Sequence, residues 1–457
     1  SPLVVTSSPR VIRQANVILD LPCSTNSESG ENDLIYHFVN GPNEFVSKRE
    51  SIDEYGWRNF GELYADHEAV YHKGTEPFVS HYNNQYDPCA GMYRMFLAGG
   101  DPLWGKMAAE LAQHVLDIDI YRTSKDREEY NHGLFWHTDH YVAAGQATHR
   151  SFSREQIGSR DPRFCGGGPG AEHCYSTGLM LHYFLTGNPD ARDAVVNLAE
   201  WCWRSIRGSL TILATAKNAA GYLSMLRSAD KYNPPVFPRF PLTRGTGNAI
   251  SACIDAYEVS ADSKYLFQVE EMIRGALHPH DDIDARNLLN AEVAWSYTVL
   301  LASIAKYLNK KVELEQLDTS YEYARASLLA YAEWMLNHEY PYLEKPEILE
   351  YPNETWPAQD LRKSVIFYYA ACYADPLLQE VFLKRSRYFY TVASEELARH
   401  STSTLTRPLV LMMQNGWVGT QIGNNIQAIS AVGHEHLHCP PTPKLCILSV
   451  AQRIIGE

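Results

Sequence analysis

Between His132 and Arg150 the chain reads "HGLFWHTDHYVAAGQATHR", nineteen residues of which four are histidines. Imidazoles change charge near neutral pH and can give or take a proton. Trp136, His137, Asp139, His140, Tyr141 and Arg150 stand together there, and the apolar spacing of a core helix is missing. A second polar group follows at Glu172, His173 and Tyr175, and a third precedes it at His81, Asn83, Asn84 and Gln85. So many hydrogen-bonding groups are costly to bury unless they are paired, and the cost is tolerated where a ligand is handled. The stretch reads as one wall of a polar cleft.

Two kinds of chemistry suit these residue types. In an elimination, a base removes the proton beside a carboxylate while an acid protonates a leaving oxygen. His and Tyr can play both parts, and Arg, Asn or Gln can neutralise the carboxylate. In a hydrolysis of glycosides, two carboxyl groups about 5–10 Å apart do the work. Asp139 with Glu172, or Glu354 with Asp360, would be the pair. The excess of His and Tyr over acidic residues favours elimination. Bland roles compete for single residues: His114 and His182 lie inside amphipathic helices, where core or surface roles are ordinary, and Glu172 at a helix start suits the dipole.

The elements that position these groups repeat a local design. "MFLAGGDPLWGKMAAELAQHVLDI", "LHYFLTGNPDARDAVVNLAEWCWRSI", "IDAYEVSADSKYLFQVEEMIRGAL" and "YYAACYADPLLQEVFLKRSRYF" each read as an apolar helix, a tight turn with Asp or Asn, and a second amphipathic helix. Apolar residues at 266, 269, 273 and 277, and at 104, 107, 111, 115 and 118, keep helical spacing. Six first helices open on polar residues, at His81, Glu172, Arg244, Asp284, Gln359 and Thr420, then turn apolar. Six polar heads gathered at one end imply an all-α (α/α)6 toroid of six inner and six outer helices. The expected organisation is a short irregular or β segment over 1–50, then the toroid over 51–457, with a long insertion at about 121–170. Helix starts also present unpaired N–H groups that suit an anionic ligand. "WPAQDLRKS" contributes Trp356 and Arg362, and Trp136, Trp356 and Trp417 are expected to offer faces for stacking on sugar rings.

Composition narrows the partners. The 457 residues carry a formal charge of −14, so the basic footprint of a nucleic-acid binder is missing. No apolar run is long enough to span a membrane. The 29 Tyr and 9 Trp exceed what core packing needs, since the 15 Phe do that without a polar tip. Carbohydrate is the ligand class that uses such side chains. The nine cysteines are scattered without a CxxC pair, Cys439 and Cys446 being able to close a small loop. "GHEHLHC" sets His434, His436 and His438 at alternate positions, a weak alternative for a structural metal; no cofactor is otherwise required. The start of the chain lacks a signal peptide's basic and apolar regions and is compatible with a mature end left after cleavage.

The runs "GWRNFGELYADHEAVYHKG", "HYNNQYDPCAGMYRMFLAGGDPLWGKMAAELAQHVLDIDIY", "YNHGLFWHTDHY", "ATHR" and "GGGPGAEHCYSTGLMLHYFLTGNPDAR" resemble the helical toroid of polysaccharide-degrading proteins. The group nearest to them is the exo-acting rhamnogalacturonan lyases and their uncharacterised relatives. The resemblance covers roughly Tyr55 to Arg207, with an echo in "YPNETWPAQDLRKS". It implies a toroid and His and Tyr chemistry supported by Arg.

The expected activity is β-elimination on an acidic, uronate-containing polysaccharide or oligosaccharide by a secreted or periplasmic protein. His137, His140, Tyr141, His173, Tyr175 and Arg150 are the catalytic candidates. His81, Asn83, Asn84, Gln85, Trp136, Asp139, Glu172, Arg244, Trp356, Arg362 and Trp417 are the candidates for binding. A glycoside hydrolase on the same toroid, or a non-catalytic glycan-binding or assembly protein, are the alternatives. The sugar, the linkage and the oligomeric state are not encoded in any motif.

Overall fold

The computed structural model describes residues 8, 11–12, 44–66 except 54 and 58, 81–126 except 83, 128, 130–135, 169–207, 220 and 240–422. Among the described residues helices dominate and no strand occurs; three isolated antiparallel bridges, such as Tyr64 with His81, are the only extended pairings. Of the N-terminal stretch expected to be extended, Phe45–Ser51 (α1) is helical.

The αα-hairpins form where the turn chemistry places them. Helix α2 (Pro88–Gly99) ends on Gly100 in the left-handed region, and α3 (Pro102–His114) starts from Asp101, whose carboxylate accepts from the Leu103 N–H. α4 (Thr177–Thr186) ends on Gly187, again left-handed, and Asn188 accepts from the Asp190 N–H to open α5 (Pro189–Arg207). α6 (Arg244–Ser260) passes to α7 (Lys264–Ala276) through Asp262, which accepts from the Lys264 N–H. After α8 (Tyr297–Glu313), Asp318 caps α9 (Thr319–His338). After α10 (Thr355–Tyr373), Asp375 caps α11 (Pro376–Arg399). Each such cap satisfies N–H groups that the helix itself leaves open and is worth about 1 kcal/mol. α12 (Thr406–Asn415) and the short α13 (Val418–Ile422) close the described chain.

Packing alternates along the chain. The even-numbered helices are mutual neighbours: α2 packs on α4, α4 on α6, α6 on α8, α8 on α10, α10 on α12, and α12 on α2. The odd-numbered helices lie against them, α3 on α2, α5 on α4 and α6, α7 on α6, α9 on α8 and α10, and α11 on α10. Some approaches leave no room for a side chain. A Cβ on Gly247 would stand 2.9 Å from the Leu300 backbone, so α6 and α8 meet backbone to backbone. A Cβ on Gly178 would stand 2.5 Å from the Asp87 carboxylate.

Of the six expected helix starts only Arg244 lies where it was read; α2 begins at Pro88 rather than His81 and α4 at Thr177 rather than Glu172. The helix expected from Asp284 begins at Tyr297, after single turns at Asp284–Arg286 and Ala291–Ala294. The helix read from Gln359 starts at Thr355. The helix between α10 and α2 is Thr406–Asn415, while of the one read from Thr420 only Val418–Ile422 is described; the first is tied to the chain ahead of α2 through Thr406. Its N–H donates to Asp66, and Lys48 of α1 pairs with the same carboxylate at 2.9 Å.

Candidate active site

The polar starts of α2, α4, α6, α8 and α10 deliver one connected cluster. Its centre is Tyr86, in the turn that enters α2. Asn84, Tyr86 and Asp87 all have positive φ, at 52°, 61° and 57°. A bulky side chain rarely takes that conformation, and such strain concentrates where function demands a fixed geometry. The turn is held from the neighbouring helix: the Asp87 carboxylate accepts from the N–H groups of Ala90, on α2, and Gly178, on α4.

Around Tyr86 the rings and cations interleave. Gln359, in the first turns of α10, donates to the Tyr86 hydroxyl at 3.1 Å and accepts from Nε of Arg362 at 3.0 Å. The Arg362 guanidinium lies over the Tyr86 ring, 5.5 Å from its centroid. Tyr175, just before α4, and Trp295, before α8, stand 6.3 and 6.4 Å from the same ring. Arg244, the first residue of α6, lies 5.4 Å over the Trp295 ring and donates to Nε2 of His173 at 2.9 Å. The guanidinium can only donate, so His173 accepts on Nε2 and is the Nδ1–H tautomer when neutral. The helical turn Ala171–His173 is itself tied to α6, because Asn248 donates to the carbonyls of Ala171 and Glu172.

Charge in this cluster is unevenly answered. Arg244 faces Glu172 at 3.7 Å. Burial works against its charge, but Tyr86, Tyr175 and Glu172 outweigh it and hold its pKa above the ordinary value. Arg362 is only 9% exposed, and no carboxylate among the described residues pairs with it. Burial pulls its pKa down. The Tyr175 phenol is pushed up to about 12, chiefly by burial, with Arg244 and Arg362 pulling the other way. Tyr175 is therefore a neutral phenol near neutral pH, a proton donor. The carboxamide oxygen of Asn84, buried beside Tyr86 in sequence, has no hydrogen-bond partner among the described residues. Leaving such an acceptor unpaired costs about 1–3 kcal/mol.

One layer away, Lys363 anchors the start of α10. It is fully buried and pairs with Glu339 at 2.7 Å and Asp360 at 2.9 Å. It also donates to the Tyr340 carbonyl and lies over the Tyr342 ring. Burial pushes the Asp360 carboxyl up to about 6 against the pull of Lys363.

Of the residues expected from sequence, His173, Tyr175, Glu172, Arg244 and Arg362 come together here. Asn84 is in the strained turn, and His81 is half-buried in its bridge with Tyr64. Gln85 is half-buried. Trp356 is half-buried against Tyr342 and donates to the Tyr351 carbonyl. Trp417 corrects its expectation: it is buried between Tyr368 and Tyr369 and presents no open face. Glu354 and Asp360 are committed elsewhere, to the Thr402 hydroxyl and to Lys363. Asn83, Trp136, His137, Asp139, His140, Tyr141, Arg150, His434, His436 and His438 lie outside the described residues. Tyr86 and Trp295 were not singled out by sequence, and Gln359 only as a polar helix start. Only their place at helix starts could have flagged them. No family model, curated protein or solved structure matches the chain.

Proposed function

We propose that this protein is a polysaccharide lyase that cleaves a uronate-containing glycan by β-elimination on an (α/α)6 toroid. The observation that carries the reading is Arg362, a buried guanidinium with aromatic and amide neighbours but no counter-charge among the described residues. A bound carboxylate would supply one. Arg244, whose positive charge Arg362 feels, would be the second donor. Two guanidiniums on one carboxylate both hold the sugar and stabilise the enolate-like charge that develops when the adjacent proton leaves.

The step would proceed as follows. A base takes the proton from the carbon beside the carboxylate, and the electron pair forms a double bond to the next carbon. The bond from that carbon to the glycosidic oxygen breaks, and the oxygen takes a proton. Tyr175, a neutral phenol beside both arginines, suits that last transfer. His140 and Tyr141 are the proposed source of the base. Trp295, half-buried beside Tyr86, stands at the same place. The return of α12 onto α2 supports the toroid. A secreted or periplasmic location would follow from such a substrate.

Incubation with acidic oligosaccharides, followed by ultraviolet absorbance, tests the reading. A conjugated double bond in the product is expected. New reducing ends without that absorbance would replace the lyase by a hydrolase, and binding without any turnover would replace it by a glycan-binding protein.

A further inference from the structure

We infer that Glu62, His114 and Asp119 form a structural site for a divalent transition-metal ion of the zinc type. Glu62 lies in the loop before α2, and His114 and Asp119 at the end of α3 and in the turn that follows; none takes part in the proposed elimination. All three are buried, and their ligand atoms lie within 4.8 Å of one another. Nε2 of His114 is 3.2 Å from Oε2 of Glu62 and 3.4 Å from Oδ1 of Asp119.

The backbone brings them together through an unusual device. His114 ends α3, and Val115–Asp119 continues as a π turn, closed by the Ile120 N–H donating to the Val115 carbonyl at 3.1 Å. In a regular α-helix, residues five apart sit roughly 140° around the axis. The wider π turn, with its i→i+5 bonds, stacks them, and such turns are frequent at functional sites. It also explains why Leu116 and Asp119 turn inward while Ile118 stays half-buried. Glu62 arrives from the loop before α2, where the Tyr82 N–H donates to the Leu63 carbonyl.

Distances separate an ion from a proton as the element that reconciles these groups. A proton shared by an imidazolium and a carboxylate gives contacts of about 2.7–2.9 Å, and one N–H cannot point along two directions. Tetrahedral ligands with bonds of about 2.0–2.2 Å stand roughly 3.3–3.5 Å apart. The observed 3.2 and 3.4 Å match the second pattern. One nitrogen and two oxygens form a donor set that zinc accepts.

The test uses the full chain, stripped with a chelator and titrated with Zn²⁺ and, in parallel, Co²⁺. One equivalent per chain is expected, with a visible cobalt absorption of low-symmetry four- or five-coordinate type and a melting temperature that rises on zinc addition. Glu62→Gln and Asp119→Asn should each weaken zinc at least 10-fold. The triple variant His434→Ala, His436→Ala, His438→Ala should bind as the parent does. A parent that binds neither ion overturns the site, even if both triad variants fail to fold. So does metal lost with the triple variant but retained in Glu62→Gln and Asp119→Asn.

Discussion

Replacing Arg362 by Met separates stability from function. Among the described residues the guanidinium makes one hydrogen bond, to Gln359, and one stacking contact, with Tyr86. A charged hydrogen bond contributes about 1.5–3 kcal/mol, and a desolvated cation over a ring about 1–2 kcal/mol. Against these stands the cost of burying an ion that has no counter-charge among the described residues, several kcal/mol. The terms nearly cancel, so Arg362→Met should change stability by only about 0–2 kcal/mol, in the favourable direction. With an unfolding entropy of roughly 2.1 cal/mol/K per residue, a chain this long gains about 1 °C per kcal/mol. Calorimetry should therefore show a melting temperature unchanged or up to about 2 °C higher. Turnover of an acidic glycan should fall about 10²–10³-fold, the usual effect of removing one donor from a developing negative charge. A melting temperature lowered by several degrees, with turnover intact, would show that Arg362 is structural and refute the reasoning.

Lys363→Met should behave oppositely, because it strands two buried carboxylates, Glu339 and Asp360. A loss of about 3–5 kcal/mol in denaturant unfolding is expected. Tyr175→Phe should keep the fold and the affinity for acidic oligosaccharides while lowering turnover about 10²–10⁴-fold, by steady-state kinetics. Because that phenol titrates at about 12, kcat/KM should show no alkaline loss from it until the pH approaches that value. Asp360 binds its proton more tightly folded, at about 6, than unfolded, near 3.8. Its contribution therefore favours the fold at acid pH and is lost as the pH rises through about 6. Melting curves across that window should slope less in Asp360→Asn. Gly178→Ala should cost at least about 1–3 kcal/mol, since its Cβ would press on Asp87 and part the starts of α2 and α4.

How much of this was legible in the sequence follows from how local each signal is. The caps at Asp101, Asn188, Asp262 and Asp375 bond within three residues, so their turns could be read directly. Arg244 opens α6 where expected, and His173, Tyr175 and Arg362 meet it because polar helix starts gather. Tyr86 was hidden by its backbone. A Tyr ahead of an apolar run reads as part of a helix, and nothing local announces a left-handed turn there. Trp295 and Gln359 matter through rings and amides on other helices, which no spacing encodes. The π turn was invisible for a related reason: Trp104, Met107, Leu111, Val115 and Ile118 keep α-helical spacing, so His114 looked like ordinary core. One extra residue in the turn exchanged Ile118 for Asp119.

The most direct measurement is isothermal titration of the parent and Arg362→Met with two oligosaccharides of equal length, one bearing uronates and one neutral. A buried guanidinium awaiting a carboxylate requires strong preference for the uronate ligand in the parent and collapse of that preference in the variant. Equal affinity for both ligands, or a preference that survives the substitution, would contradict it.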